Sequence, residues 1–197
     1  MQGLEQRSNE YMNPSPLRIG LIADTHMPGS VAELWPQITD VFADVDMIFH
    51  AGDLHTADVI DQLSRIAPTY VARGNGDMDV EHPMLKDEWL LDVGGQQIGI
   101  VHQCPHPGRA SKAKIAKRLT KHFAEQRPDL VIYGHTHHES VHRLDDQLFI
   151  NPGSAMLPRN QSTRLGTVGL LEIGPQGADV QLLQLTDAEP LELFQHT

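Results

Sequence analysis

The sequence predicts an α/β fold of two packed sheets with helices outside, and three observations carry that expectation. Its first half alternates short apolar runs with segments of helical spacing, its second half passes into strands joined by tight turns, and the early apolar runs each close on Gly, Asp or Asn. The first pattern suits parallel strands buried on both faces and the second suits hairpins. A chain that has both suggests two packed sheets with helices outside.

The elements follow in order. "NPSP" is turn chemistry whose prolines hinder a regular helix, so residues 1–16 read as a flexible lead and 17–197 as a single domain. "LRIGLIAD", "DMIFHAG" and "PTYVARGN" are the early strands, separated by helices in "VAELWPQITDVFADV" (31–45) and "TADVIDQLSRIA" (56–67). After Gly76 the rhythm changes: "EWLLDV" and "QQIGIVH" flank Gly94-Gly95, a hairpin signal. "SKAKIAKRLTKHFAEQ" is a helix with a basic face, read as solvated, and Pro128 follows its end. Then come "DLVIY", the pair "ESVHRL" and "QLFIN", and the pair "RLGTVGLLEI" and "ADVQLLQL" around "GPQG". There is no internal repeat, low-complexity tract or interdomain linker.

Composition narrows the function. At 197 residues and 40% apolar content the chain suits one domain with a sizeable core. No apolar run reaches the ~20 residues that span a bilayer, and the N-terminal stretch lacks a signal peptide's hydrophobic centre, so a cytoplasmic protein without membrane partners is expected. The single cysteine, Cys104, excludes an internal disulfide framework. A net charge of −11 argues against a broad nucleic-acid surface, so a phosphate substrate would be held locally. The oligomeric state stays open, a homo-oligomer included.

Twelve histidines direct attention to metal. The first strand ends in "ADTH" (Asp24, His26), the second in "HAGD" (Asp53), the third in "RGNGD" (Asn75, Asp77). The second strand of the Gly94-Gly95 hairpin ends at His102, and "DLVIY" runs into "GHTH" (His135, His137). Taken alone, each is an ordinary turn or helix cap. Together they matter, because the carboxyl ends of strands in open α/β sheets converge on one crevice. The D-x-H and H-x-H spacings would let both side chains face one ion if those segments are extended. Carboxylate, amide and imidazole ligands without thiolate suit a borderline divalent metal such as Mn²⁺, Fe²⁺ or Zn²⁺ rather than a structural zinc site.

Taken in order, "ADTH", "HAGD", "RGNGD", "VH" and "GHTH" resemble the five motifs of the calcineurin-like metallophosphoesterases, and "NPGSAMLPR" resembles a segment of their small bacterial and archaeal phosphodiesterase branch. The resemblance covers about residues 18–185. It implies a four-layer α/β/β/α sandwich of two mixed sheets, and a dimetal phosphodiesterase acting on a small or flexible phosphate ester. One metal would be held by Asp24, His26, Asp53 and His137, and the other by Asp53, Asn75, His102 and His135. Asp53 would bridge, and Asp53, Asn75 and His135 would carry the catalytic centre.

The implied cofactors are two divalent ions, with Mn²⁺ expected and Fe²⁺, Zn²⁺ or Ni²⁺ as alternatives. Two such ions against two carboxylates and a bridging hydroxide leave one net positive charge, enough to draw a phosphate ester to an acidic protein. The hydroxide would attack phosphorus and expel an alcohol. Arg159 is a further candidate for phosphate contact.

Two positions depart from the pattern. Gly76 stands where many relatives have a histidine that protonates the leaving group, and His102-Gln103-Cys104 replaces His-Gly-His. If His102 points at the metals along an extended strand, Cys104 does so too, unless Pro105 turns the chain; Asp77 and His106 are the other candidate proton donors. The competing function is a largely non-catalytic metal-binding protein-interaction scaffold, as in a retromer subunit of the same branch. The complete ligand set speaks against that reading.

Overall fold

The computed structural model describes residues 15–196, so the expected lead at 1–16 lies outside it up to residue 14. Strands β1 (Leu17–Ile22), β2 (Met47–His50), β3 (Thr69–Ala72) and β4 (Leu85–Lys86) run parallel. Next come β5 (Glu88–Val93), β6 (Gln96–Val101), β7 (Leu130–Ile132), β8 (Glu139–Leu144) and β9 (Gln147–Pro152), and the chain ends with β10 (Thr167–Gly174), β11 (Gly177–Gln184) and β12 (Leu191–His196). One sheet has the order β12-β11-β10-β1-β2-β3-β4 and the other β5-β6-β7-β9-β8. Helices α1 (Pro36–Val41), α2 (Asp58–Ser64) and α3 (Lys112–Phe123) complete the fold.

Side chains alternate along each central strand and so divide the core into three clusters that define four layers. Ile22, Ile48 and Val71 face outward and meet Ile38 and Phe42 of α1 and Val59, Ile60 and Leu63 of α2. Their neighbours Leu21, Phe49 and Ala72 face inward and meet Ile98, Ile100, Leu130, Ile132, Leu148 and Ile150 of the second sheet. Val101, Val131 and Phe149 face outward again, against Ile115, Leu119 and Phe123 of α3. The α/β/β/α sandwich of two mixed sheets is therefore present.

Three expectations need correction. The helix expected over 31–45 is confined to Pro36–Val41, because Pro36 has no N–H to continue a helix from the preceding turn and instead occupies its first position. The second sheet is not wholly antiparallel: α3 links β6 to β7 as a crossover, so β6, β7 and β9 run parallel. Strands β4 and β12 were not legible, the first with two residues and the second an exposed edge carrying Leu191, Leu193 and Phe194.

Candidate metal centre

The parallel strands set the chemistry at one end of the sandwich. Beyond β1 lie Asp24 and His26, beyond β2 lies Asp53, beyond β3 Asn75, beyond β6 His102, and beyond β7 His135 and His137. Their loops are sewn together: the Asp24, His26 and Met27 amides donate to the Gly52, Asp53 and Leu54 carbonyls, and the Gly134 amide to His102. The "NPGS" segment is a fastening. Asn151 Nδ2 donates to the Gly134 carbonyl at 3.0 Å, and Ser154 Oγ to the Asp24 carbonyl at 2.7 Å.

The expected ligands meet, but not through extended backbone. Asp24, His26, Asp53, His55, His135 and His137 all have positive φ, between 51° and 71°. Non-glycine residues in that region cost roughly 1–3 kcal/mol each and persist where surrounding structure over-determines them. The D-x-H and H-x-H residues thus reach the site from left-handed loop positions and not from extended strand, which corrects the expectation from strand alternation.

Three groups of three have ligand atoms within 4.8 Å of one another: Asp24, His26 and His137; Asp53, His102 and His135; and, overlapping both, His26, Asp53 and His55. Asp53 Oδ2 lies between the first two, 3.7 Å from His26 Nε2 and 3.4 Å from His102 Nε2, while its Oδ1 accepts the Gly76 amide at 2.7 Å. Asn75 Oδ1 is 3.1 Å from His102 Nε2. Asp24, Asp53, His102 and His137 form a buried floor, and Asn75 and His135 an exposed mouth.

The donor set fits cations. His102 Nδ1–H donates to the Ala51 carbonyl at 2.8 Å and His137 Nδ1–H to Leu157 at 2.7 Å, so each ring turns an Nε2 lone pair inward. Those lone pairs meet a concentration of further nitrogen and oxygen ligand atoms: His137 Nε2 is 3.1 Å from His26 Nε2 and 3.6 Å from Asp24 Oδ1, and His102 Nε2 is 3.2 Å from His135 Nδ1. A divalent cation would draw these ligand atoms to itself, each imidazole offering it a lone pair.

Protonation tells the same story. Burial above all pushes the Asp24 carboxyl well up, and it pushes His26 down to about 4, aided by His55 and His137. His135 and His137 are lowered mainly by burial. Burial also opposes charge on Asp53 and His102, yet their mutual hydrogen bond and attraction win, so Asp53 falls and His102 rises.

Other residues resolve differently. Cys104 turns away, since β6 ends at Val101 and the chain bends at His102; the thiol packs with the cluster under α3, where burial pushes it up to about 12. Gln103 faces the site instead, its Nε2 donating to Asn75 Oδ1 at 3.1 Å. Asp77 is no proton donor, because its buried carboxylate accepts the amides of Asp53, His55 and Gly74 at 2.8–2.9 Å. His106 stacks on His142.

His55 was missed as a site group. Its ring packs edge-on against His26, centroids 4.3 Å apart, and blocks the space that any side chain at Gly76 would need. The space beside Gly76 is thus filled by an imidazole from the neighbouring loop, a contact invisible in a linear motif. Arg159 sits beside His137, its amide donating to the His137 carbonyl, but its guanidinium pairs with Glu139 at 3.3 Å.

Comparison with known proteins agrees with this geometry. The chain is 30% identical over 168 residues to a probable metallophosphoesterase of Methanothermobacter thermautotrophicus, covering 84% of this chain and 91% of that one. It is 28% identical over 171 residues to a phosphodiesterase of Methanocaldococcus jannaschii, covering 79% and 93%. The fold matches vacuolar protein sorting 29 of Cryptosporidium parvum with a TM-score of 0.74 at 18% identity, covering 93% of this chain and 99% of that chain. It also matches the zinc-complexed Vps29 of Entamoeba histolytica at 0.72 and 20% identity, covering 91% and 98%. Since residues 17–175 match the calcineurin-like phosphoesterase superfamily domain, the chain belongs to that superfamily.

Proposed function

We propose that this protein is a dimetal-dependent phosphodiesterase acting on a small or flexible phosphate ester. Asp24, His26, Asp53 and His137 would hold one ion, and Asp53, Asn75, His102 and His135 the other. The observation that supports this most is the convergence of the ligand atoms within 4.8 Å of one another, with Asp53 Oδ2 reaching both His26 and His102. The oxygen and nitrogen donors suit Mn²⁺, with Fe²⁺, Zn²⁺ or Ni²⁺ as alternatives. Bound there, two divalent ions supply the charge that activates water near neutral pH and offsets the phosphoryl oxygens.

The chain's own residues do the rest. The Gly76 amide orients Asp53 by holding Oδ1, which leaves Oδ2 to both groups. Asn75 contributes a neutral carbonyl, so the site gains a ligand without another negative charge. His135 and Asn75 line the exposed mouth through which an ester enters, and Arg159 would contact its phosphate after leaving Glu139, a surface pair weak enough to exchange.

The test is hydrolysis of an aryl phosphodiester by metal-stripped protein before and after Mn²⁺ addition. Activity that appears with metal supports the enzyme. Inertness with Mn²⁺, Fe²⁺, Zn²⁺ and Ni²⁺ alike would favour the interaction scaffold.

A further inference from the structure

A cleft of about 570 Å³ opens beside the metal centre, lined among others by Asn75, His102 and Gln103 on the site side and by Arg118 and Lys121 of α3 on the other. A second cavity of about 460 Å³ continues from it along α3, lined by Pro105, Lys114, Lys117, Arg118 and Lys121. Arg118 and Lys121 belong to both, and Arg118 is close enough for its charge to act on His135.

The four cations fall at i, i+3, i+4 and i+7, so they share one helix face and run about 10 Å along its axis. Lys114, Lys117 and Lys121 are exposed and Arg118 half-buried. Among the described residues none of the four has an ion-pair partner, whereas Lys112 pairs with Asp145 and Arg127 with Asp146 at the two ends of the same helix region. The acids on the facing wall are already engaged, Asp87 by Arg73 and Glu88 by His122. Five cations thus face two carboxylates, on a chain whose net charge is −11.

We propose that this cleft and the α3 stripe form a binding site for further phosphates of the substrate, so that the preferred ester carries at least one phosphate beyond the one cleaved. Histidine is the only aromatic ring in either cavity lining, so bases have no Tyr, Trp or Phe to stack on. Recognition is by phosphate charge and indifferent to base sequence. The proposal goes beyond the reading of the basic helix face as solvated while keeping the phosphate site local. Two sources share the chemistry, a short single-stranded oligonucleotide and a polyphosphate chain.

The proposal rests on the phosphoesterase reading of the neighbouring centre, and a binding experiment separates the two because it needs no turnover. The probe is a fluorescein-labelled short single-stranded oligonucleotide, titrated with full-length protein at several salt concentrations and competed with inorganic tripolyphosphate. Four phosphate contacts predict a slope of log K against log salt of about −3. Lys117→Gln with Lys121→Gln, a net-charge change of −2, should weaken binding at least tenfold and make the slope shallower. Arg65→Glu, at the residue that caps α2 on the opposite face of the sandwich, makes the same change in net charge and should leave binding unchanged. Competition by tripolyphosphate assigns recognition to phosphate alone, and its absence to a nucleic-acid strand; both sustain the site. No binding by wild type at low salt, or equal weakening by Arg65→Glu, overturns it.

Discussion

Asp77 accepts three backbone N–H groups, from Asp53, His55 and Gly74, and so ties the loop after β2 to the loop after β3. A buried donor left without an acceptor costs roughly 1–3 kcal/mol. Asp77→Asn presents an amide where at least one of those N–H groups points, so it should destabilise the protein by about that much and loosen both loops. Urea unfolding together with metal titration checks this; unchanged stability and unchanged metal affinity would show that Asp77 fastens nothing. At this scale the sequence revealed residue types better than directions. Asp24, Asp53, His102 and His137 were legible because each follows an apolar strand. His55 and Gln103 were not, since the first enters by stacking on His26 and the second by a bend at His102 that the strand pattern does not announce.

Helix α3 and strand β6 show how an element decides which residues reach the site. Had β6 continued to residue 104, His102 and Cys104 would share a face. It ends at Val101, and Cys104 joins the cluster of Val101, Ile115, Leu119 and Phe123. Cys104→His should therefore lower stability by about 1–3 kcal/mol through overpacking and burial of a polar ring, with no gain in alkyl diester hydrolysis. Denaturation and rates on matched alkyl and aryl diesters check it. Undiminished stability with faster alkyl turnover would put residue 104 at the metals. The apolar periodicity of α3 at Ile115, Leu119 and Phe123 was plain in the sequence, and the structure adds Ser111 as its cap, the side chain accepting the Lys114 amide. Strand β12 carried no such signal because an exposed edge strand has no buried face to imprint a pattern.

Across the whole molecule, four layers place five strand ends in one crevice, and the fold keeps neutral imidazole beneath it. His50 is fully buried, donating to Thr25 Oγ1 and accepting the Gly52 amide, and burial pushes it down to about 4. Its ordinary value is about 6.5, so below that pH the unfolded chain binds a proton that the folded chain refuses. Stability present above pH 6.5 is thus lost as pH falls toward 4, on the order of 3 kcal/mol from this residue. Urea unfolding of metal-free protein at pH 7 and 4.5 should show the loss, and His50→Asn should reduce it; identical pH dependence in the variant would contradict this.

The layer order was legible from the strand and helix rhythm, while the left-handed loops that aim the ligands were not, because no residue type in "ADTH" or "GHTH" demands positive φ. The central claim is that Asp53 joins two cation sites into one centre. Calorimetric titration of metal-stripped protein with Mn²⁺ tests it most directly. Wild type should bind two ions per chain, and Asp53→Asn should weaken both at once, since one buried carboxylate faces both groups. Two tightly held ions in Asp53→Asn, or fewer than two in wild type, would contradict the claim.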